Sequence, residues 1–134
     1  MASKGRGYRT IEHEGFTILV GKGAADNDRL SLVIAEPRDF WLHIAGGTPG
    51  SHVVVRNPDD LAALPRSVEE RAAALAAWHS KGRNGRGKTE VHICRARDVS
   101  KPCGYPAGRV NLRRFDRLKV YAERAYPAGE EEPT

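Results

Sequence analysis

The chain is poor in cysteine, in aromatic residues and in long apolar runs. Its two cysteines, Cys94 and Cys103, are too few for a disulfide framework and show no CxxC spacing, so we expect two reduced thiols. No apolar run approaches the roughly 18 residues that a membrane span needs, which predicts a protein without a membrane partner. The polar stretch 1–9 lacks the apolar segment of a secretory signal. We therefore expect a cytoplasmic protein.

Basic residues, by contrast, are abundant: 22 Lys and Arg stand against 17 Asp and Glu, a net charge of +5. Three of the acids lie at 130–132, and without them the chain carries +8. A positive body favours a polyanionic partner because contact with phosphates releases condensed counterions. The 134 residues suit one domain, and we expect it to span 8–124 between a disordered basic stretch, 1–7, and a disordered acidic tail, 125–134.

Apolar periodicity predicts five strands and two helices. The strands are expected at 15–21, 40–44, 51–56, 89–96 and 118–122, and the helices at 24–35 and 67–79. The segment Ser67-Val68-Glu69-Glu70 has the form of a capping box, in which the two side chains satisfy free amides at a helix start. The second helix has an apolar face that should pack on the sheet, formed by Val68, Ala72, Leu75 and Ala76. The order of elements predicts a single α+β domain with a mostly antiparallel sheet and two main helices packed on it.

Two groups of cations stand out. The first lies in a glycine-rich loop and comprises Lys81, Arg83, Arg86 and Lys88. The second borders the last predicted strand and comprises Arg109, Arg113, Arg114, Arg117 and Lys119. Two such groups in a short chain favour nucleic-acid binding, with the glycine-rich loop gripping the phosphate backbone. The alternative is a pair of solvated surface loops.

The same loop, 82–89, matches the phosphate-binding pattern GxxxxGK[ST] letter for letter. That pattern works when it follows a strand and opens a helix, whose amino-terminal amides and dipole hold the phosphates. Here a predicted helix precedes the loop and a predicted strand follows it. We therefore predict no nucleotide cofactor, and a nucleotide hydrolase stays a weaker alternative.

Histidines raise the question of metal or acid–base chemistry, since Asp39, His43 and His52 lie on neighbouring predicted strands. No HxxxH, HExxH or paired cysteine spacing supports zinc, and a histidine on a sheet is more often hydrogen-bonded structure than a ligand. Ser51 is next to His52, but neighbouring strand residues point to opposite faces, so no nucleophile–base pair is expected. We predict no catalytic residue and no metal. A metal-dependent nuclease or hydrolase built on Asp39, His43 and His52 stays an alternative.

Six short motifs follow one another in a characteristic order: Gly15-Phe16-Thr17-Ile18-Leu19-Val20-Gly21, Asn27-Asp28-Arg29-Leu30, Asp39-Phe40-Trp41-Leu42-His43, Pro49-Gly50-Ser51-His52-Val53-Val54-Val55, Ser80-Lys81 and Lys101-Pro102-Cys103-Gly104. In order and spacing they resemble the NFACT-R family, an RNA-binding domain found at the carboxyl end of ribosome-associated quality-control factors and as free-standing bacterial proteins. The resemblance runs from about Tyr8 to Tyr121. Gly23 and the stretch Gly46-Gly47-Thr48 depart from the family pattern.

The resemblance implies a non-enzymatic RNA-binding domain of the cytosol, with tRNA, ribosomal RNA or the large ribosomal subunit as its partner in translation or ribosome-associated quality control. The multidomain relatives also have an amino-terminal domain, a helix-hairpin-helix segment and a coiled coil, so we do not expect tailing of stalled peptides from a chain of this length. A protein-binding adaptor stays an alternative.

The resemblance also implies a set of site residues. The polar motif residues would form a shared surface or its hydrogen-bonded support: Asp39, Trp41, His43, Ser51, His52, Ser80 and Lys81. Cations are expected to contact phosphate directly because most affinity comes from the backbone: Arg56, Lys81, Arg83, Arg86, Lys88 and Lys101. We expect any base selectivity to come from Trp41 or His43, and Trp41 to have an exposed face because its neighbours on the strand are polar.

Overall fold

A six-stranded antiparallel sheet lies at the centre of the protein in a computed structural model, which describes residues 7–81 and 87–124. The elements are, in chain order, β1 (Tyr8–His13), β2 (Phe16–Gly21), α1 (Ala24–Arg29), a π-helical segment (Leu30–Ile34), β3 (Phe40–Ile44), β4 (Val53–Val55), α2 (Arg66–Trp78), β5 (Thr89–Arg95), a 3-10 turn (Ala96–Asp98), β6 (Val99–Ser100), β7 (Asn111–Leu112) and β8 (Asp116–Val120). The strands of the sheet lie in the order β1-β2-β4-β3-β5-β8, and β6 pairs with β7. The predicted α+β domain with a mostly antiparallel sheet is confirmed.

One face of the sheet packs on α2. Alternate residues of the strands point to this side, and the helix meets them with its predicted apolar face, whose members Val68, Ala72, Leu75 and Ala76 are fully buried. The alanines matter because short side chains let the helix lie close to the β-branched residues of the strands. This face contains the larger of the two apolar clusters found among the described residues.

The opposite face has a smaller apolar cluster, formed by Leu19, Leu30, Trp41, Val54 and Cys94. The π-helical segment and the β6–β7 hairpin cover it, the latter through Val99 and Leu112. Because successive strand residues point to opposite faces, the sheet is buried on both sides over its central strands. The polar motif residues Trp41 and His52 lie on this second face.

Strand β1 was not predicted. Its sequence carries charged and polar residues and no regular apolar alternation, which an edge strand does not require. It pairs with β2 through a two-residue turn, Glu14–Gly15, in which φ is 48° and 85°. Positive φ at both positions is the geometry of a type I′ hairpin, which favours glycine at the second position.

The predicted capping box is wrong. Helix α2 begins at Arg66, one residue earlier than predicted, and no side chain caps it; the carbonyl of Pro65 accepts the amide of Glu69 instead. Ser67 therefore lies inside the first turn, where its hydroxyl donates to the carboxylate of Glu14. A tertiary contact with the β1–β2 turn has replaced the local cap.

Candidate functional site

An open cleft of about 990 Å³ lies at one end of the sheet. Four stretches that are distant in sequence form its walls: 22–24 at the start of α1, 46–52 between β3 and β4, 78–81 at the end of α2, and 107–110 ahead of β7. Residues of four strands also line it, including Trp41 and His43 of β3. A cleft of this volume is in the range of ordinary ligand sites.

The charge of the cleft is one-sided. Its walls carry four cations, Arg9, Lys22, Lys81 and Arg109, and no Asp or Glu of the described residues lines it. Lys22, Lys81 and Arg109 are exposed and Arg9 is half-buried. A concave surface lined by one sign of charge concentrates the field and attracts anions.

The backbone at Gly50 pairs the β3–β4 loop with the end of α2. Gly50 and Ser80 form an isolated antiparallel bridge. The backbone amide of Ser51 donates to the carbonyl of His79 at 2.8 Å, and the backbone amide of Lys81 donates to the carbonyl of Pro49 at 3.0 Å. A β-carbon at position 50 would lie 2.8 Å from the β-carbon of Ser80, so only glycine permits this approach. The bridge brings the predicted site residues Ser51, Ser80 and Lys81 together at the cleft.

A buried chain of hydrogen bonds supports the floor of the cleft. The indole Nε1 of Trp41 donates to the hydroxyl of Ser31 at 2.7 Å, and that oxygen lies 2.7 Å from Nδ1 of His52. The other ring nitrogen, Nε2, lies 3.0 Å from the carbonyl oxygen of Gly108. Because a carbonyl only accepts, Nε2 carries the proton, and Nδ1 accepts the Ser31 hydroxyl. Both nitrogens of a neutral His52 are thus satisfied.

Burial makes that neutral form the stable one. Desolvation, with a smaller contribution from nearby His43, lowers the pKa of His52 to about 4. Desolvation also lowers the pKa of His43 below its usual value. Of the five histidines, four line the cleft: His43, His52, His79 and His92. The neutral rings of His43 and His52 therefore accompany the cations of the cleft wall.

Asn27 holds α1 against the cleft loop. Its side chain is buried, donates to the carbonyl of Gly50 at 3.1 Å and accepts the backbone amide of His52 at 3.1 Å. A β-carbon at Gly21 would lie 2.0 Å from its amide oxygen, so this glycine makes room for the contact. Both residues belong to recognised motifs, but sequence reasoning did not assign them to the site.

Asp39 and Arg56 lie outside the cleft and bind each other. Asp39 is 1% exposed, and its carboxylate accepts Arg56 at 2.8 Å and the backbone amide of Asn57 at 2.9 Å. It immediately precedes β3 and stands four residues from His43, about 13 Å in an extended chain. No group of three or more His, Cys, Asp or Glu within the described ranges is arranged to hold a metal. The structure does not bring Asp39, His43 and His52 together as a metal site.

The remaining predicted residues are dispersed. Lys101 forms an ion pair with Asp28 at 3.1 Å and donates to two carbonyls, and the ammonium of Lys88 lies 5.6 Å from the ring of Tyr121. Arg83 and Arg86 fall outside the described residues, as do most of the two predicted disordered ends. Thr89, the last residue of the GxxxxGK[ST] match, begins β5 and not a helix.

Trp41 corrects a further expectation, because it is 1% exposed and has no free ring face. Its ring packs against those of His43 and His52, with centroids 5.9 Å and 5.0 Å away. The indole therefore supports the cleft from below and does not stack on a ligand. His43, which is half-buried, does line the cleft.

Known proteins resemble this chain over most of its length. The family described as NFACT protein RNA binding domain matches residues 6–114. The Rqc2 homolog RqcH of Streptococcus suis is 36% identical over 116 residues, 84% of this chain and 20% of that protein. The Rqc2 homolog RqcH of Bacillus subtilis is 39% identical over 98 residues, 72% of this chain and 16% of that protein. The chain thus spans about a fifth of these relatives.

A solved structure agrees with the sequence relationship. The C-terminal part of the fibronectin/fibrinogen-binding protein from Streptococcus suis superposes with a TM-score of 0.78 at 32% identity, over 91% of this chain and 47% of that one. Within the described part of the chain, no helix is both long and apolar enough to cross a bilayer.

Proposed function

This chain belongs to the NFACT protein RNA-binding domain family, and from that premise we propose that it binds structured RNA at the cleft, without chemical turnover. The proposed targets are tRNA or ribosomal RNA, and the proposed setting is translation or ribosome-associated quality control in the cytoplasm. The matched region is only 20% of the full-length Streptococcus suis relative, so the proposal concerns this domain and its own surface.

The observation that most directly supports RNA binding is the positive charge of the residues that line the cleft. Four cations from four separate stretches converge on it, whereas no carboxylate of the described residues lines it. Two of those carboxylates, Asp28 and Asp39, are neutralised by the ion pairs with Lys101 and Arg56. The described lining of the cleft therefore carries basic side chains and no acidic ones, which suits contact with a phosphate backbone.

The buried polar side chains below the cleft already have hydrogen-bond partners within the protein, which supports binding in preference to catalysis. The Ser31–His52 pair has a hydrogen-bond distance typical of a nucleophile and its base. The serine oxygen, however, already accepts the Trp41 indole, both residues are buried, and the second histidine nitrogen faces a carbonyl. Burial also raises the pKa of the Cys94 thiol to about 12, which leaves it protonated and unreactive.

The proposal is tested with two double alanine variants, one at the cleft and one at a control site. We expect Lys81→Ala with Arg109→Ala to weaken binding of unfractionated tRNA, measured by fluorescence anisotropy between about 50 and 200 mM KCl. The slope of log affinity against log salt should become shallower by about two units, one for each lost phosphate contact.

The matched control is Arg38→Ala with Arg66→Ala. It removes the same charge from exposed residues that do not line the cleft, each of which is paired with a nearby glutamate. We expect this variant to bind tRNA like the wild type. An equal loss in both double variants would mean that net charge and not the cleft attracts RNA, and a folded wild-type protein that binds no RNA would favour the adaptor.

A further inference from the structure

Phe115 is an aromatic residue that the apolar core does not use. It lies immediately before β8, is 38% exposed and belongs to neither apolar cluster. Its ring stacks on the ring of His92, with centroids 4.1 Å apart and planes tilted by 27°. His92 in turn lines the cleft, so Phe115 lies beside the cleft through this ring contact.

Charged groups of β5 and β8 lie next to this pair, and two of them are arginines. Glu90 lies 3.4 Å from His92 and 3.8 Å from Arg117, so one carboxylate joins the histidine to the strand beside Phe115. The guanidinium carbon of Arg117 lies 5.6 Å from the Phe115 ring centroid. Arg114 is exposed next to Phe115 in the chain. An aromatic ring supported from below and flanked by arginines is the arrangement on which unpaired bases stack.

The other aromatic rings next to the cleft are buried or more closely covered than that of Phe115. Trp41 is buried. The guanidinium of Arg124 lies 4.6 Å from the ring of Trp78 and that of Arg109 lies 4.7 Å from the ring of Tyr105, whereas Arg117 lies 5.6 Å from the ring of Phe115. Among the described aromatic residues next to the cleft, Phe115 combines exposure with a direct ring contact to a cleft residue.

We propose that Phe115 is a stacking platform for an unpaired RNA base, next to the phosphates held at the cleft. The inference rests on the proposed function and adds a preference to it: the protein selects RNA in which a helix adjoins an unpaired nucleotide, over continuous duplex. The physical reason is that bases inside an A-form helix are already stacked, whereas an unpaired base exposes a ring face.

The test compares two RNAs that share one duplex. One is blunt, and the other has a single-stranded 3′ overhang that carries the fluorescent base 2-aminopurine. Wild-type protein should bind the overhang RNA more tightly and quench the 2-aminopurine. Phe115→Leu keeps an apolar side chain without the ring, and it should lose about 5- to 150-fold affinity for the overhang RNA, with no quenching and with unchanged affinity for the blunt duplex.

Two further variants separate stacking from general damage. Phe115→Trp restores an aromatic ring and should retain both the preference and the quenching. Leu61→Ala is the matched control, since Leu61 is 36% exposed and does not line the cleft, and it should behave like the wild type. Thermal unfolding of each variant verifies that the fold is retained.

The outcomes distinguish this inference from the proposed function. Equal wild-type affinity for the two RNAs, with salt dependence that responds to Lys81 and Arg109, would overturn the platform and leave the cleft in place. Absence of binding to either RNA would overturn both. Loss of affinity for the blunt duplex in Phe115→Leu and Phe115→Trp alike would show that Phe115 only shapes the fold.

Discussion

The two faces of the central sheet are stabilised in different ways. Among the described residues, the face under α2 buries seventeen apolar side chains in one cluster, whereas the opposite face buries five. The second face has buried hydrogen bonds in addition to its smaller apolar cluster. The main ones run from Trp41 through Ser31 to His52, and from the Asn27 side chain to the cleft loop. The cleft lies on this second, polar side.

The contrast explains where a binding site can form in such a small domain. Apolar burial is non-directional and tolerant of detail, so it supplies stability without fixing any particular polar group. Buried hydrogen bonds position groups accurately, but each unsatisfied member is costly. Apolar burial on the α2 face therefore stabilises the fold, and the hydrogen bonds of the polar face position the residues of the cleft.

The largest expected effect comes from damaging the α2 face. Leu75 is fully buried, and Leu75→Ala should lower the free energy of unfolding by about 2–5 kcal/mol, because it removes apolar contacts and leaves a cavity. Urea denaturation measures the loss. The control Leu32→Ala, at a residue 41% exposed, should change the stability by less than about 0.5 kcal/mol. Similar losses in the two variants would remove the distinction between core and surface on which the comparison depends.

The α2 face was also the part that the sequence predicted best. The apolar spacing in 67–79 indicated both the helix and the side of it that meets the sheet, because both follow from local periodicity. The strands β3 and β4 were likewise predicted from local sequence, as short apolar runs at 40–44 and 51–56. The hairpin partner β1 was missed, since its polar sequence carries no such period and its turn lacks the usual Asn-Gly or Asp-Gly signal.

The polar face could be predicted only in part, because its contacts join residues far apart in the chain. Family resemblance selected Trp41, His43 and His52, but Trp41 looked exposed, since its burial depends on a hydroxyl ten residues away. The ion pairs of Arg56 with Asp39 and of Lys101 with Asp28 could not be predicted, because they are tertiary features; contact of these two cations with phosphate stays a prediction.

The cations of the cleft were the least predictable part. Arg9 and Lys22 were not selected at all, although sequence charge alone marked them as basic. Only the packing of β1 and α1 brings them to the same cleft. For Arg83 and Arg86, contact with RNA phosphate stays a prediction, which the double alanine variant of the two would test by the same salt dependence.

The next effect in size is a pH dependence that belongs to the polar face. His52 has a folded-state pKa of about 4 against a usual 6.5, so the unfolded chain binds its proton more readily. The stability from this residue is therefore full above pH 6.5, falls as the pH drops towards 4 and is constant below that value. The total loss should be about 3 kcal/mol, with His43 adding to it in the same direction.

Comparison with a non-titrating variant isolates that contribution. His52→Gln should show a shallower fall in the free energy of unfolding between pH 6.5 and 4, measured by urea denaturation at each pH, because the carboxylates titrate alike in both proteins. An equally steep fall in His52→Gln would mean that the acid sensitivity arises elsewhere, and that the polar face does not depend on a neutral His52.

The smallest effect concerns whether the two faces act independently. Ser31→Ala removes the acceptor of Trp41 and the donor to His52, both buried, and should cost about 1–3 kcal/mol in urea denaturation. Ser100→Ala, at an exposed serine, is its control and should be close to neutral.

Double-mutant cycles then test whether the two faces of the sheet contribute independently to the free energy of unfolding. Ser31→Ala and Trp41→Phe disrupt one hydrogen bond, so their costs should fall short of additivity by about 0.5 kcal/mol or more. Ser31→Ala and Leu75→Ala lie on opposite faces with no shared partner and should add to within about 0.5 kcal/mol. Strong coupling across the sheet would mean that the strands transmit packing from α2 to the cleft. The stability of the core and the shape of the RNA site would then be one property, and substitutions under α2 would alter RNA affinity without touching the cleft.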